Sequence, residues 1–160
     1  MCTSIMAGRL SNPAERDILL LGSQTGVIAY DAYDHFILLL FQMPDGVNAM
    51  LISDQLGTRD HPIVVIGGRC SIVALNETGA EVFWTVTGES VMSLTVIESE
   101  IPLDTTEEPS NQLVVGSEDY RIRIMQKNAI RQFGQGGGVK ADLVRSLSDS
   151  RGFLTTSFES

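Results

Sequence analysis

The chain has 160 residues with 11 Lys and Arg against 20 Asp and Glu, giving a formal net charge of −9, and 43% of its residues are hydrophobic. This length and composition are typical of one soluble globular domain and exclude a disordered or fibrous chain. The acidic balance argues against a nucleic-acid partner, because nucleic-acid binders gather Lys and Arg to displace phosphate counterions.

In chain order, the first predicted elements are a short apolar strand and then a hairpin, and the hairpin pattern recurs twice more. Each copy has a run of Leu or β-branched residues, a Gly-containing turn and a second run with partial alternation. That pattern predicts a hairpin whose first strand is buried on both faces. The copies lie at residues 18–31, 63–76 and 113–125, with Gly22, Gly67 and Gly116 in register at spacings of 45 and 49 residues.

Two further strands complete each repeat. One precedes the hairpin, and the other follows it after a turn, most clearly at residues 80–87 after Gly79. Four strands in 45 to 49 residues match the size of one β-propeller blade. Ser146 and Leu147 resemble the first strand of another copy. The preceding strands are predicted at residues 4–7, 49–52 and 93–96.

The predicted fold is therefore all-β: a β-propeller of about three four-stranded blades plus the start of a fourth, in an incomplete ring. Propellers close with four to eight blades, so we expect unpartnered faces on the terminal blades that favour assembly or aggregation. The predicted division is residues 1–131 for the blades, 132–140 for a flexible Gly-rich connector and 141–160 for the start of a further blade.

Five residues are predicted to be structural. We expect the four glycines to lie at blade turns, and the single tryptophan to pack between blades, as aromatic residues do in propellers. Replacing that tryptophan with alanine is then expected to destabilise the fold by a few kcal/mol. The five residues are Gly22, Gly67, Gly79, Gly116 and Trp84.

The sequence predicts no catalytic, cofactor-binding or metal-binding residue. His35 and His61 lie in no pattern that supplies a base or a pair of metal ligands, so we expect structural or solvent-facing roles. Cys70 has no activating His or Lys beside it and is expected to be buried and inert. The Gly-rich run at 134–140 lacks the Gly-Lys-Ser/Thr ending of a phosphate-binding loop. The acidic residues in 98–110 lack the spacing and the glycine of a calcium loop.

No segment is predicted to span a membrane. The longest apolar run, residues 36–41, has six residues, whereas a transmembrane helix needs about 20. The N-terminus lacks the apolar stretch of a secretory signal, and two cysteines cannot form a disulfide framework. A reducing, cytosolic compartment fits these features best.

Several strings occur in an order and with gaps that are specific when taken together. Within residues 5–131 they resemble the N-terminal propeller of the Bardet-Biedl syndrome 2 family. The FWTVTG and VGSED strings are the most specific of them. The strings are IAYD at 28–31, DGVNA at 45–49, PIVVIGG at 62–68, GAEVFWTVTG at 79–88, VMSL at 91–94 and LVVGSEDYRIRI at 113–124.

This resemblance implies a non-enzymatic subunit of the BBSome, an adaptor that carries membrane proteins into and out of cilia with intraflagellar transport. It implies other BBSome subunits as partners, notably the Bardet-Biedl syndrome 7 protein, whose pairing region in the family lies outside this chain. It also implies ciliary membrane cargo and a location in the cilium, the basal body and the cytoplasm. We expect the chain to be a piece of a longer protein.

A second hypothesis belongs to another class. Residues 74–79 followed by Trp84 are similar to the repeat of quinoprotein propellers, which are cofactor-binding enzymes or their non-catalytic relatives. That hypothesis predicts a tryptophan at the matching place of successive blades. The matching neighbourhoods here contain Phe41 and Ile130, which favours the first hypothesis.

Overall fold

The computed structural model describes residues 1–10, 16–56, 62–97 and 111–126, together with the backbone of residues 145–147. His61, the acidic loop and the Gly-rich connector lie outside the described residues. Within this part of the chain, no helix has the length and apolarity that a membrane span requires. The strands are β1 Cys2–Gly8, β2 Ile18–Ser23, β3 Gly26–Asp31, β4 Phe36–Gln42, β5 Ala49–Ser53, β6 Ile63–Gly67, β7 Ser71–Leu75, β8 Glu81–Val86, β9 Val91–Ile97, β10 Gln112–Ser117, β11 Ile122–Gln126 and β12 Arg145–Leu147.

These strands form three antiparallel sheets of four, as the repeat predicts. The first sheet has the order β1-β2-β3-β4, the second β5-β6-β7-β8 and the third β9-β10-β11-β12. Each predicted hairpin forms the two middle strands of its sheet. The all-β architecture and its three-sheet repeat are therefore confirmed, and the three sheets do not close a ring.

Residues 145–147 belong to a different sheet from the one predicted. The repeat pattern assigns Ser146 and Leu147 to the first strand of a fourth blade, but β12 pairs antiparallel with β11 as the fourth strand of the third sheet. Local sequence similarity over three residues cannot separate these two outcomes, because the first and fourth strands are both edge strands of a sheet. The edge of β11 decides the pairing, since its backbone groups need partners.

Among the described residues, the core consists of two hydrophobic clusters, one on each side of the second sheet. The first cluster joins the first and second sheets, and the second joins the second and third sheets. All five residues of β6 are buried, which explains why its sequence, IVVIG, shows no polar alternation. The fully buried side chains include Leu20, Val27, Ile66, Leu75, Phe83 and Leu113.

Candidate interaction surface

The glycines predicted for the turns lie instead at the ends of the second strands. Gly22 is one residue from the end of β2, and Gly67 is the last residue of β6. A Cβ atom on Gly22 would lie 2.6 Å from Val47 Cγ1, and one on Gly67 would overlap Val91 Cγ1. Val47 lies just before β5, and Val91 is the first residue of β9. These glycines are therefore required by contact between sheets and not by turn conformation.

The same junctions carry backbone hydrogen bonds. The N–H of Val47 donates to the carbonyl of Ser23 at 2.9 Å, and the N–H of Val91 donates to the carbonyl of Gly68 at 2.9 Å. Gly116 lies at the matching place in β10, but there a Cβ atom would meet the hydroxyl of Ser93, its cross-strand partner in β9 of the same sheet. The junctions at Gly22 and Gly67 thus each combine a close glycine contact with a hydrogen bond between successive sheets.

Of the predicted turn glycines, Gly79 does lie in a turn. It connects β7 and β8 with φ +80°, a conformation that glycine adopts without steric penalty. Asn76 Oδ1 accepts hydrogen bonds from the N–H groups of Thr78 and Ala80, which closes this turn. Gly79 also lies close to Leu39 of the first sheet, whose side chain would have to shift to admit a Cβ.

Trp84 faces the first sheet but is not buried. In β8 it pairs with Val73, a member of the first cluster, yet 49% of its surface is exposed. The expectation that it packs in the core between blades is therefore wrong, because it lies on the outermost strand, where successive sheets of a propeller are furthest apart. Phe83, the preceding residue, points to the opposite face and is 1% exposed in the second cluster.

Trp84 instead lines a groove of about 420 Å³ between the outer strands of the first and second sheets. Phe41 and Pro44 line the side of the first sheet, and Glu81 and Val86 line the side of β8. Cys70 also reaches this groove and is exposed, so the expectation of a buried thiol is wrong. The groove offers a mainly apolar surface with one exposed tryptophan, which is a common composition for a protein contact.

Asp45 holds the floor of the groove in place. Its Oδ2 accepts hydrogen bonds from the N–H of Cys70 at 2.6 Å and from Ser71 Oγ at 2.8 Å. Its carbonyl accepts from the N–H of Arg69 at 3.3 Å. The loop after β4 is thereby fastened to the turn between β6 and β7, so the first two sheets are joined at the groove.

The turn between β3 and β4 is fixed by Asp31. Its Oδ1 accepts hydrogen bonds from the N–H groups of Asp34 at 3.0 Å and Tyr33 at 2.9 Å. The bond from Asp34, opposed by burial and helped by Tyr33 and Arg16, lowers the pKa of Asp31. His35 lies in this turn with φ +58° and with Nδ1 3.2 Å from the hydroxyl of Tyr30.

The turn between β10 and β11 in the third sheet contains an ion pair. Arg123 Nη2 lies 2.9 Å from Asp119 Oδ2, and the N–H of Arg121 donates to Asp119 Oδ1. Burial tends to raise the pKa of Asp119, but the hydrogen bonds and positive charge of Arg123 and Arg121 outweigh it, so that pKa lies below its usual value. Among the residues described, no group of three or more His, Cys, Asp or Glu is placed to hold a metal ion.

The sequence of this chain is similar to that of a known protein family. Residues 1–53 match the family model described as ciliary BBSome complex subunit 2, N-terminal. The chain is 36% identical over 126 residues to the zebrafish (Danio rerio) BBSome complex member BBS2, covering 79% of the chain and 17% of that protein. The human protein of the same name gives 36% over 126 residues, and Caenorhabditis elegans bbs-2 gives 31% over 115 residues. The chain spans about one sixth of the length of these relatives.

Solved structures share the arrangement of sheets. The N-terminal part of BBS1, crystallised in complex with ARL6DN, superposes with a TM-score of 0.57 at 17% identity, covering 79% of this chain and 37% of that chain. A chain of an active polycomb repressive complex 2 superposes with a TM-score of 0.56 at 18% identity, covering 79% of this chain and 27% of that chain. At these identities the likeness concerns the fold, which confirms the propeller architecture.

Proposed function

The chain belongs to the BBS2 family of BBSome subunits, and from this premise we propose that it acts as a non-enzymatic scaffold within the BBSome. The observation that carries the proposal is 36% identity over 126 residues to BBSome complex member BBS2. That aligned length corresponds to most of the three sheets described above. The proposed role of the chain is to contribute, through protein–protein contacts, to ciliary membrane-protein trafficking and cilium assembly.

The geometry supports a binding role in two ways. The sheets are fastened to one another at Gly22 and Gly67, and Asp45 joins the neighbouring loops, so the outer strands form a firm support. The groove beside Trp84 then presents apolar surface and a half-exposed indole to solvent. Exposed aromatic side chains on such a support favour recognition of another protein.

A protein-binding role also agrees with the fold neighbour. The BBS1 N-terminal chain, which has the same arrangement of sheets, was crystallised in complex with ARL6DN. We propose other BBSome subunits as the partners of the present chain, notably the Bardet-Biedl syndrome 7 protein, and ciliary membrane cargo through the complex. The proposed location is the cilium with its basal body, and the cytoplasm.

The quinoprotein hypothesis has no comparable support. It predicts a tryptophan at the same place in successive sheets. Trp84 pairs with Val73, and the residue that pairs with the matching Ile28 in the first sheet is Leu40. The tryptophan is therefore not repeated, and we do not propose a cofactor-dependent activity.

Immunoprecipitation of the endogenous protein from ciliated cells tests the proposal. An antibody against the turn between β10 and β11 is suitable, because Tyr120 in that turn is fully exposed. We expect BBSome subunits among the co-purifying proteins identified by mass spectrometry, with the Bardet-Biedl syndrome 7 protein enriched over an unrelated-antibody control. Recovery of the protein without any BBSome subunit would contradict the scaffold role.

A further inference from the structure

The groove beside Trp84 lies between the outer strands of two sheets that both belong to this chain. Phe41 and Pro44 line it from the first sheet and the loop after β4, and Val86 lines it from β8. Because both walls are described strands, the groove does not depend on what precedes or follows the chain. An occupant must therefore complement the side chains that these two sheets supply.

A β-bulge in β8 brings Glu81 to the same face of the sheet as Trp84. Val73 pairs with Trp84. Leu75, two residues later in β7, pairs with Glu81 because β8 contains one extra residue, Val82, at this point. Cross-strand partners share a face, and Val73 and Leu75 both belong to the first cluster. The bulge thus re-aims Glu81 into the groove, which it lines.

The repeat of the sheets does not require this pair of side chains. β4 has a bulge at the matching place, and Leu40 occupies the position that Trp84 has in β8. Ile37 occupies the position of Glu81. Aliphatic side chains therefore satisfy the outer strand of the first sheet at both places. A carboxylate on the same face as a half-exposed indole is a property of the second sheet alone among these two.

The charged side chains that line the groove are acidic. Among the described residues, the lining includes Asp45 and Glu81 but neither Lys nor Arg. Asp45 is already engaged, because its carboxylate accepts hydrogen bonds from Cys70 and Ser71. Glu81 is exposed, and no Lys or Arg in the described part of the chain forms an ion pair with it. A mainly apolar groove with an available carboxylate favours a cation on a long apolar stem.

The same combination of groups holds an arginine beside the turn between β3 and β4. The guanidinium of Arg16 lies 4.6 Å from the ring centroid of Tyr33. Its Nη2 lies 3.4 Å from Asp31 Oδ2. An aromatic ring and a carboxylate on one surface can therefore take a guanidinium between stacking and ion pairing, for which its planar shape is suited.

We propose that the groove binds an arginine side chain of a partner protein, flanked in that partner by apolar residues. The guanidinium stacks on the exposed part of Trp84 and pairs with Glu81. The flanking apolar residues contact Phe41 and Val86. The net charge of −9 favours the approach of such a basic segment. This inference rests on the proposed function, because it gives the chemistry of one contact made by the scaffold.

The fluorescence of Trp84, which is the only tryptophan of the chain, reports binding at the groove directly. The probe is the peptide acetyl-Leu-Arg-Leu-amide, and the control peptide has citrulline, which keeps the shape of arginine without its charge. With the whole 160-residue chain, we expect a saturable change in emission and about fivefold weaker binding of the citrulline peptide. Equal binding of the two peptides, or no change in emission with either, would overturn the proposal.

A substitution that removes one charge assigns the contact to Glu81. Glu81→Gln should weaken binding of the arginine peptide about threefold and leave binding of the citrulline peptide unchanged. Glu118→Gln is the matched control, since Glu118 is exposed in the turn after β10 and does not line the groove. Equal weakening by both substitutions would contradict the site, because it would show that only the overall charge of the chain matters.

The peptide titration and the immunoprecipitation separate this inference from the scaffold role. Recovery of BBSome subunits, together with equal binding of the arginine and citrulline peptides, would overturn the arginine site and leave the scaffold role standing. Selective binding of the arginine peptide that is lost in Glu81→Gln, without recovery of BBSome subunits, would support the site and contradict the scaffold role.

Discussion

The first and second sheets contain the same apolar positions in different surroundings. Ile66 and Val73 of the second sheet are 0% and 4% exposed because the first sheet covers them. Leu21 and Ile28, 45 residues earlier, have similar side chains but remain partly exposed on the outer face of the first sheet. The difference teaches that the neighbouring sheet, and not the residue type, determines which repeat positions join the core.

The largest expected effect on stability comes from a comparison of substitutions on the two faces of β8. Phe83→Ala should lower the free energy of unfolding by about 3–5 kcal/mol, since it removes a buried ring from the cluster between the second and third sheets. Trp84→Ala should lower it by less than about 1 kcal/mol, because Trp84 is half-exposed on the opposite face. Urea unfolding of both variants measures the difference. A larger loss for Trp84→Ala would show that the groove is closed in solution.

A smaller loss of stability is expected from a substitution at the junction between the second and third sheets. Gly67→Ala should destabilise the protein by about 1–3 kcal/mol, because its Cβ would overlap Val91. Gly88→Asn is the matched control, since Gly88 has φ +79° but nothing within 4 Å of a Cβ, and Asn tolerates this conformation. If the two substitutions shift the thermal midpoint equally, the contact with Val91 is not the reason for glycine at position 67.

Removing the hydrogen bonds that Asp45 accepts at the groove should lower the free energy of unfolding by a still smaller amount. Asp45→Ala removes the acceptor for Cys70 and Ser71, and we expect a loss of about 1–2 kcal/mol. Asp54→Ala, which removes an exposed turn carboxylate, should change stability by no more than about 0.5 kcal/mol. Chemical denaturation compares the two variants, and equal losses would mean that Asp45 contributes only charge.

The smallest expected effect is the contribution of Asp119 to the pH dependence of stability. Its pKa in the folded chain is lowered from 3.8, so the stabilisation is present above that value and is lost as pH falls through the lower folded pKa. Asp119→Asn should therefore be less stable than the natural chain at pH 7, and the gap should close below pH 3.8. Urea midpoints across this pH range test the sign. A gap that widens on acidification would exclude the Arg123 pair as its source.

The sequence allowed the strands and the three-sheet repeat to be predicted because they depend on local patterns. Runs such as IVVIG indicate which strands are buried. The spacing of 45 residues indicates where the next repeat begins. Turn chemistry is also local, and Gly79 lies in a turn with φ +80°. Hairpins that pair neighbouring segments follow directly from such signals.

The interaction surface could not be predicted in the same way. The need for glycine at position 22 comes from Val47, 25 residues later in the chain, and not from the conformation of Gly22 itself. The exposure of Trp84 depends on the separation of two outer strands, and the thiol of Cys70 is exposed because its turn lies at the groove. The pairing of β12 depends on an edge made available by β11. Each of these features is set by tertiary contact.

The second and third sheets stack as blades because Gly67 at the end of β6 receives Val91, the first residue of β9. A double-mutant cycle of Gly67→Ala and Val91→Ala, followed by urea unfolding, tests it most directly. Because the smaller side chain leaves room for the added methyl group, the double variant should be more stable than the sum of the single losses predicts, by at least about 1 kcal/mol. Additive losses would contradict the contact and the stacking that depends on it.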